Sequence, residues 1–304
     1  MSARPWAHGL LIDDSEQRSE GWYAARRGAI TGSRAELARD RSDGLTAQQR
    51  IYVDALRAGK TEEQAKTAAG YKAKPSFSLL DSAIAGTLKK IYSDTALAYA
   101  MDLAREREGG QAPDKFTTWA MRQGVKEEPV AAVEFEAVEG YLIERAGFIR
   151  TADGKFGCSV DGLLPDDGVW ECKTMVSSAT LFKAMVYGDV SEYMGQVLFE
   201  LWLLRRKWCL LSLWCPDLKK LHSIRIERDE AAIQALEEDL MAFDAEVVLL
   251  QNDLRKVLGR DPLPIPGTPA ALPVTDVPAP VAPPWEAANA PGTKPAAIPA
   301  NLFG

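Results

Sequence analysis

The chain has 304 residues, 46% apolar and 26% charged, enough for one sizeable core plus an inserted module and a tail. Its longest apolar run, near residues 197–204, is broken by Glu200 and is too short to span a membrane, and the N-terminus lacks a secretion-signal pattern, so we expect a cytoplasmic protein without membrane contact. The net charge of −7 excludes DNA binding by overall positive charge, so any phosphate contact must come from local basic clusters.

The first distinct segment, residues 40–92, is rich in Ala, Lys, Gln and Thr and resembles an insertion. Capping-box patterns begin at Thr46 and Thr61, and Gly59 and Gly70 follow where each helix would end. Two short helices joined by a tight turn resemble a helix-turn-helix, similar to the start of phage terminase small subunits. A helical hairpin packed against the core is an equally open interpretation, because the segment has few basic side chains.

The chain on either side of this segment, up to residue 258, is predicted as α/β. Turn signals at Asp153-Gly154 and at residues 165–168 separate three strand-like runs, which predict a three-stranded antiparallel meander over residues 147–151, 155–164 and 169–174. The later predicted elements are a helix over 191–206, strands over 208–214 and 221–226, and a long amphipathic helix over 229–257.

From Leu263 onward the sequence is rich in proline and alanine, which predicts a disordered tail. Trp285 and residues 301–304 could form a docking peptide for a partner, and a plain unstructured end is the alternative. The predicted organisation is a catalytic domain of residues 1–39 and 93–258, a helical module of residues 40–92 and a disordered tail of residues 259–304.

Charged residues alternate along the strand that follows residue 168. Alternation places Glu171 and Lys173 on one face, while Trp170 and Cys172 point to the other, apolar face. Asp161, near the end of the neighbouring strand, is then expected beside Glu171, and two adjacent carboxylates repel each other unless a hard cation neutralises them. The pattern predicts a magnesium site for water attack on phosphorus, with Lys173 beside it, although this spacing alone is a weak signal.

Five stretches strengthen this interpretation because their order and spacing agree with one family. They are Trp22-Tyr-Ala-Ala-Arg-Arg-Gly-Ala-Ile-Thr-Gly-Ser33, Gly124-Val-Lys-Glu-Glu128, Cys158-Ser-Val-Asp-Gly-Leu163, Glu171-Cys-Lys173 and Tyr193-Met-Gly-Gln196. Together they resemble lambda-phage exonuclease and the YqaJ-type viral recombinases, in the PD-(D/E)xK nuclease superfamily. The resemblance covers about residues 20–39 and 95–255 and omits the module and the tail.

The resemblance implies an α/β fold, a restriction-endonuclease-like core with a mixed central sheet flanked by helices, plus the inserted small helical module. It implies a processive 5′-to-3′ exonuclease that acts on double-stranded DNA ends and leaves 3′ single-stranded overhangs for recombination by strand annealing. The implied cofactor is Mg²⁺, with Mn²⁺ as a substitute. The implied partners are other copies of the chain in a trimeric ring and a single-strand annealing recombinase, in a protein encoded by a phage or prophage.

The same resemblance assigns roles to individual residues. The catalytic residues are Lys173, Glu171, Asp161 and Gln196. The metal ligands are Asp161, Glu171, Glu128 and the backbone carbonyl of Cys172. The residues for the 5′-phosphate and the DNA are Arg26, Ser33, Ser159, Arg27 and Lys183. The family usually has an arginine shortly after the catalytic lysine, where this chain has Ser177-Ser178-Ala179, and Lys183 is the expected substitute.

Several alternatives stay open. Glu128 could be an early-turn helix residue, Gln196 a buried amide, and Arg26 with Ser33 a capped helix start. Another nuclease of the same core, such as a RecB-like enzyme with an iron–sulfur cluster, is disfavoured by the cysteines, which lack C-x-x-C spacing and are expected to be reduced and mostly buried. A non-catalytic DNA-binding regulator that uses the module is disfavoured by the clustered carboxylates.

Overall fold

The structure is a computed structural model that describes residues 9–112 and 118–266. The strands are β1 (Leu10–Asp13), β2 (Ile30–Thr31), β3 (Arg41–Ser42), β4 (Ile91–Tyr92), β5 (Phe148–Thr151), β6 (Phe156–Cys158), β7 (Gly162–Leu164), β8 (Gly168–Thr174), β9 (Trp208–Cys215) and β10 (Lys220–Glu227). The helices are α1 (Glu20–Arg26), α2 (Ala35–Ala38), α3 (Ala47–Arg57), α4 (Glu62–Ala69), α5 (Leu80–Ala85), α6 (Asp94–Arg107), α7 (Trp119–Glu139), α8 (Ser178–Leu181), α9 (Ser191–Leu204) and α10 (Glu230–Val257).

Two mixed four-stranded sheets form the framework, in the orders β1-β5-β6-β2 and β10-β9-β8-β7. Each contains one parallel pair, β2 with β6 and β8 with β9, among antiparallel neighbours. The largest apolar cluster joins both sheets to α6, α9 and α10. A second cluster packs α7 on the other face of β8, where the rings of Phe135 and Trp170 lie 5.1 Å apart. The mixed α/β fold with flanking helices agrees with the sequence prediction.

The prediction of one strand over residues 155–164 is wrong. β6 ends at Cys158, β7 begins at Gly162, and the two strands belong to different sheets. The chain passes between the sheets at residues 159–161, and a Cβ atom on Gly162 would lie 2.3 Å from Cγ2 of Ile143, so only glycine fits there. The crossing places Asp161 at the junction of the sheets, next to β8.

Residues 40–92 form a small helical unit with its own core. Both capping boxes, at Thr46 and Thr61, are present, and Gly70 ends α4 in the left-handed conformation. The core is formed around Tyr52 and Tyr71, whose rings lie 5.8 Å apart. A third helix, α5, was not predicted. The unit begins and ends at the antiparallel pair β3 and β4.

The remaining elements after residue 190 agree with the prediction, with Asp229 as the N-cap of α10. All four cysteines are free, and Cys158, Cys209 and Cys215 are buried, as expected. None of the described helices combines the length and the apolar character that crossing a membrane requires. The predicted tail beyond residue 266, with Trp285, lies outside the described residues.

A buried ion network ties four parts of the chain together around Asp244 of α10, which is 1% exposed. Its carboxylate oxygens lie 2.7 Å from Nη1 of Arg107, at the end of α6, and 2.7 Å from Nζ of Lys155, beside β6. Arg107 also donates through Nε to the carbonyl oxygen of Gly28 at 2.9 Å. The network therefore fixes the segment after α1, next to Arg26, relative to β6, which ends next to Ser159.

A second buried carboxylate, Glu108, predicts acid sensitivity. Burial alone would raise its pKa, but hydrogen bonds from Gln251, Arg255 and Arg260 outweigh burial and lower the pKa of Glu108 from 4.5 to about 2. A lowered pKa means that the stabilisation is fully present above about pH 5 and is lost as the pH falls towards 2. The free energy of unfolding should therefore fall as the pH is lowered through this range, which urea denaturation at a series of pH values measures. In Glu108→Gln this part of the pH dependence should disappear. If the free energy of unfolding of the variant still fell between about pH 5 and pH 2 as in the wild type, Glu108 would not be the group responsible.

Candidate active site

The centre of the site is a hydrogen-bonded group on β8 and α9. Nζ of Lys173 donates to Oε1 of Glu171 at 2.6 Å and to Oε1 of Gln196 at 2.8 Å. Nε2 of Gln196 donates to the same Glu171 oxygen at 2.7 Å. Strand alternation thus places Glu171 and Lys173 on one face as predicted, and α9 brings Gln196 onto them.

Asp161 joins this group from the crossing between β6 and β7. Its Oδ2 accepts a hydrogen bond of 2.8 Å from the backbone N–H of Cys172, so its carboxylate lies against the middle of β8. Burial, followed by the negative charges of Glu171 and Glu128, raises the pKa of Asp161 well above its ordinary value. The site therefore holds more negative charge than its own cations balance.

Glu128, on α7, reaches the group through Arg145. Nη1 of Arg145 lies 2.9 Å from Oε1 of Glu128 and 2.7 Å from the backbone oxygen of Asp161. Arg18 lies 3.9 Å from the other oxygen of Glu128. Glu128 is in the middle of α7, which runs through Pro129, and not in an early helical turn. It stands next to the carboxylate pair, held by a guanidinium.

Lys173, the predicted catalytic lysine, is held in its charged form. Burial would lower the pKa of Lys173, but the carboxylates of Glu171 and Asp161 raise it above its ordinary value. Its Nζ also lies 5.8 Å from the ring centroid of Tyr193. Lys173 is therefore a fixed positive charge and a hydrogen-bond donor, not a base, at neutral pH.

A further buried carboxylate, Glu200, lies on α9 one helical turn after Gln196. Its Oε1 accepts 2.8 Å from Nε2 of Gln196. Burial, and next the charge of Glu171, raise the pKa of Glu200 well above its ordinary value. The prediction missed Glu200 and Arg145. A carboxylate inside the apolar run of α9, one helical turn after Gln196, was the signal for Glu200.

The residues present fit a divalent cation in charge and chemistry. Oε2 of Glu171 is buried and has no hydrogen-bond partner among the described residues, although Glu171 is only 2% exposed. A buried carboxylate oxygen that accepts no hydrogen bond destabilises the folded protein. Binding of a hard cation, for which carboxylate oxygens are the preferred ligands, would remove this cost. Within residues 9–112 and 118–266, no three Asp, Glu, His or Cys side chains form a ready set of ligands. The fit therefore rests on Asp161 and Glu171.

A second group of predicted residues meets near the start of the chain. Nη2 of Arg26 donates to the hydroxyls of Thr31 at 3.0 Å and Ser33 at 3.2 Å, and its guanidinium lies 5.1 Å from the ring centroid of Trp22. The indole N–H of Trp22 donates to the hydroxyl of Ser159 at 2.8 Å. Burial lowers the pKa of Arg26, although a guanidinium keeps its charge at neutral pH. Arg26, Ser33 and Ser159 are thus connected, directly or through Trp22, in one polar group, where the 5′-phosphate pocket was predicted.

Other predicted residues are placed differently. Arg27 is exposed, directly after the last residue of α1. Nζ of Lys183 lies 3.6 Å from Glu192 and 3.9 Å from Asp189, so it is held by carboxylates. Ala179, where the family has an arginine, is exposed on α8. For Cys172 the structure shows its backbone N–H bound to Asp161, and the role of its carbonyl stays a prediction.

Comparison with known proteins agrees with this fold. Residues 81–204 match the model of the YqaJ-like viral recombinase domain. The crystal structure of an alkaline exonuclease (LHK-Exo) from Laribacter hongkongensis is similar, with a TM-score of 0.56 and 23% identity over 79% of this chain and 98% of that one. A structure of LHK-Exo in complex with dAMP gives a TM-score of 0.54 and 24% identity over the same shares. No curated protein matches.

The solved structures share the fold, and the matched residues 81–204 include Glu128, Asp161, Glu171, Lys173 and Gln196. Their similarity agrees with the predicted mixed α/β core flanked by helices. Residues 81–204 are therefore similar to the YqaJ-like viral recombinase domain, in agreement with the resemblance found from the motifs.

Proposed function

We propose that the protein is a magnesium-dependent exonuclease that degrades double-stranded DNA from its ends, 5′ to 3′, and leaves 3′ single-stranded overhangs. The observation that carries the proposal is the convergence of Asp161, Glu171 and Lys173, with one buried Glu171 oxygen left without a donor. The alkaline exonuclease activity named for LHK-Exo supports the same reaction class.

Asp161 and Glu171 would hold the cation, with the carbonyl of Cys172 and, once released by Arg145, Glu128. Mg²⁺ bound there, or Mn²⁺ in its place, would activate water and stabilise the charge that develops on the phosphate. Lys173 sits beside this position as a fixed positive charge, which offsets charge on a phosphate oxygen without a proton transfer. Gln196 holds Lys173 and Glu171 in one orientation.

The pocket around Arg26 would receive the terminal 5′-phosphate. Arg26 uses Nη2 for Thr31 and Ser33, and its remaining N–H groups suit a phosphate with several acceptor oxygens. Ser159 precedes Asp161 by two residues, so the Cα atoms of these two residues lie at most about 7 Å apart. A phosphate held there would place the first internucleotide bond near the carboxylate pair.

The test uses linear duplex DNA, end-labelled on either strand, with Mg²⁺. Wild-type protein should release nucleotides from 5′ ends, leave closed circular DNA intact, and stop when a chelator removes the metal. Asp161→Ala should bind the same DNA without digesting it. Shifted bands without digestion by the wild-type protein would support a non-catalytic DNA-binding regulator.

The Arg26 pocket gives a separate prediction. We expect wild-type protein to digest 5′-phosphorylated ends faster than 5′-hydroxyl ends, and Arg26→Gln to lose this preference, with about a 10- to 100-fold loss on phosphorylated ends. Arg27→Gln is the matched control, because Arg27 is adjacent but exposed, and should slow both ends alike. Equal wild-type rates on the two ends would contradict the pocket.

The regulator hypothesis gains little from the module. The first turn of α4, the second helix of the helix-turn-helix-like pair, carries Glu62 and Glu63, which pair with Lys74 and Lys66. Acidic side chains at this position disfavour contact with DNA phosphates. We therefore propose residues 40–92 as an appended module, and residues 1–39 and 93–258 as the catalytic domain.

We further propose that the protein acts as a homo-oligomer, a trimeric ring, that hands single strands to an annealing recombinase in the host cytoplasm. A closed channel would let few inward basic side chains hold DNA despite the net charge of −7. Light scattering that finds only monomer at working concentration would contradict the ring.

A further inference from the structure

Glu200 is an acidic residue in an apolar part of the protein core. It is 1% exposed, and its neighbours Val197, Phe199 and Leu201 on α9 are fully buried apolar residues. A carboxylate in such a position weakens the fold unless its oxygens are paired. Packing alone would favour an aliphatic side chain at this position.

Only one of its oxygens is paired. Oε1 accepts from Nε2 of Gln196 at 2.8 Å, whereas Oε2 is buried and has no hydrogen-bond partner in the part of the chain that the structure describes. Buried carboxylates outside the site behave differently, because Asp244 accepts from two partners and Glu108 from three. The unpaired oxygen of Glu200 thus lowers the stability of the fold, which is not expected of a residue whose role is only structural.

The contact it makes determines how the Gln196 amide is oriented. The two N–H bonds of Nε2 go to Glu171 and Glu200, and Oε1 accepts from Lys173, so the amide is held at both ends. A flipped amide would place its oxygen against two carboxylates and its N–H group against the Lys173 ammonium. Glu200 adds a second reason against the flip and removes the free rotation that a terminal amide otherwise has.

We propose that Glu200 is a positioning residue for the nuclease reaction, which orients the Gln196 amide and, through it, fixes Lys173 beside the carboxylate pair. This inference rests on the proposed function. Glu200 contacts neither substrate nor metal in this role, and its contribution passes through a side chain that touches both Glu171 and Lys173.

The experiment compares Glu200→Leu with Glu200→Gln in the full chain. Leucine removes the accepting oxygen, so kcat on linear duplex DNA with Mg²⁺ should fall about 10- to 100-fold, while KM for DNA stays within about twofold. Glutamine keeps an accepting oxygen and should restore kcat to within about threefold of wild type. The melting temperature of metal-free Glu200→Leu should be at or above that of wild type, because leucine removes an unpaired buried carboxylate.

Glu108→Leu is the matched control, since it replaces a buried carboxylate whose partners are satisfied and which lies outside the site. It should lower the melting temperature and leave kcat unchanged well below that temperature. Wild-type kcat in Glu200→Leu, a fall in its melting temperature, or no rescue by glutamine would each overturn the positioning role. A wild-type protein that digests no DNA would overturn the proposed function, and the positioning role with it.

Discussion

Asp161→Asn is expected to reduce digestion of linear duplex DNA by at least about a thousandfold, without loss of stability. The amide oxygen can still accept the hydrogen bond from the Cys172 N–H, so the shape of the crossing between the sheets is kept. The lost property is the negative charge needed beside Glu171. Burial already raises the pKa of Asp161, so a neutral side chain of the same size should leave the melting temperature unchanged or raise it.

The control for this variant is Asp166→Asn on the turn between β7 and β8. Asp166 is exposed and has φ of 55°, a conformation that asparagine also adopts readily. Its side chain lies outside the site, so the nuclease rate should be unchanged. Digestion at the wild-type rate by Asp161→Asn, measured with protein of unchanged melting temperature, would remove Asp161 from the catalytic group.

The second large effect concerns stability. Asp244→Ala is expected to lower the free energy of unfolding by about 3–5 kcal/mol, because it leaves Arg107 and Lys155 without their buried counter-charge. Alanine favours the helical conformation, so α10 itself would not be weakened. In a chain of this size the melting temperature should drop by roughly 10 °C, and urea denaturation measures the free energy directly.

Asp239 gives the comparison on the same helix. It pairs with Arg39 and Arg41 but keeps 29% of its side chain exposed. Asp239→Ala should therefore cost about 1 kcal/mol or less. If the two substitutions cost the same, burial of the Asp244 network would not be the source of its stabilisation.

The sequence predicted much of the site because strand alternation is a strong local rule. It placed Glu171 and Lys173 on one face and Asp161 beside them, and the contacts in the structure agree. Gln196 and the Arg26 pocket came from the family resemblance, since no local pattern brings residues so distant in sequence together. Their chemical roles stay predictions until the variants are measured.

Three features could not be predicted, each because long-range packing decides it. Residues 155–164 have a continuous strand-like pattern, and only contact with Ile143 and the second sheet shows where β6 stops. Arg145 lies in an irregular segment whose direction depends on α7 and β7. Helix α5 is short and lacks a side-chain N-cap, so local signals do not mark its start.

The two-residue pair of β3 and β4 has a consequence for how the chain tolerates change. The paired residues Arg41 and Tyr92 face each other across the ladder, so the entry and exit of about fifty intervening residues are only about 5 Å apart. For the rest of the protein those residues act as one short connection between α2 and α6. Residues can therefore be inserted into or deleted from this segment with only a small change in the entropy of loop closure, because that entropy varies with the logarithm of the number of residues.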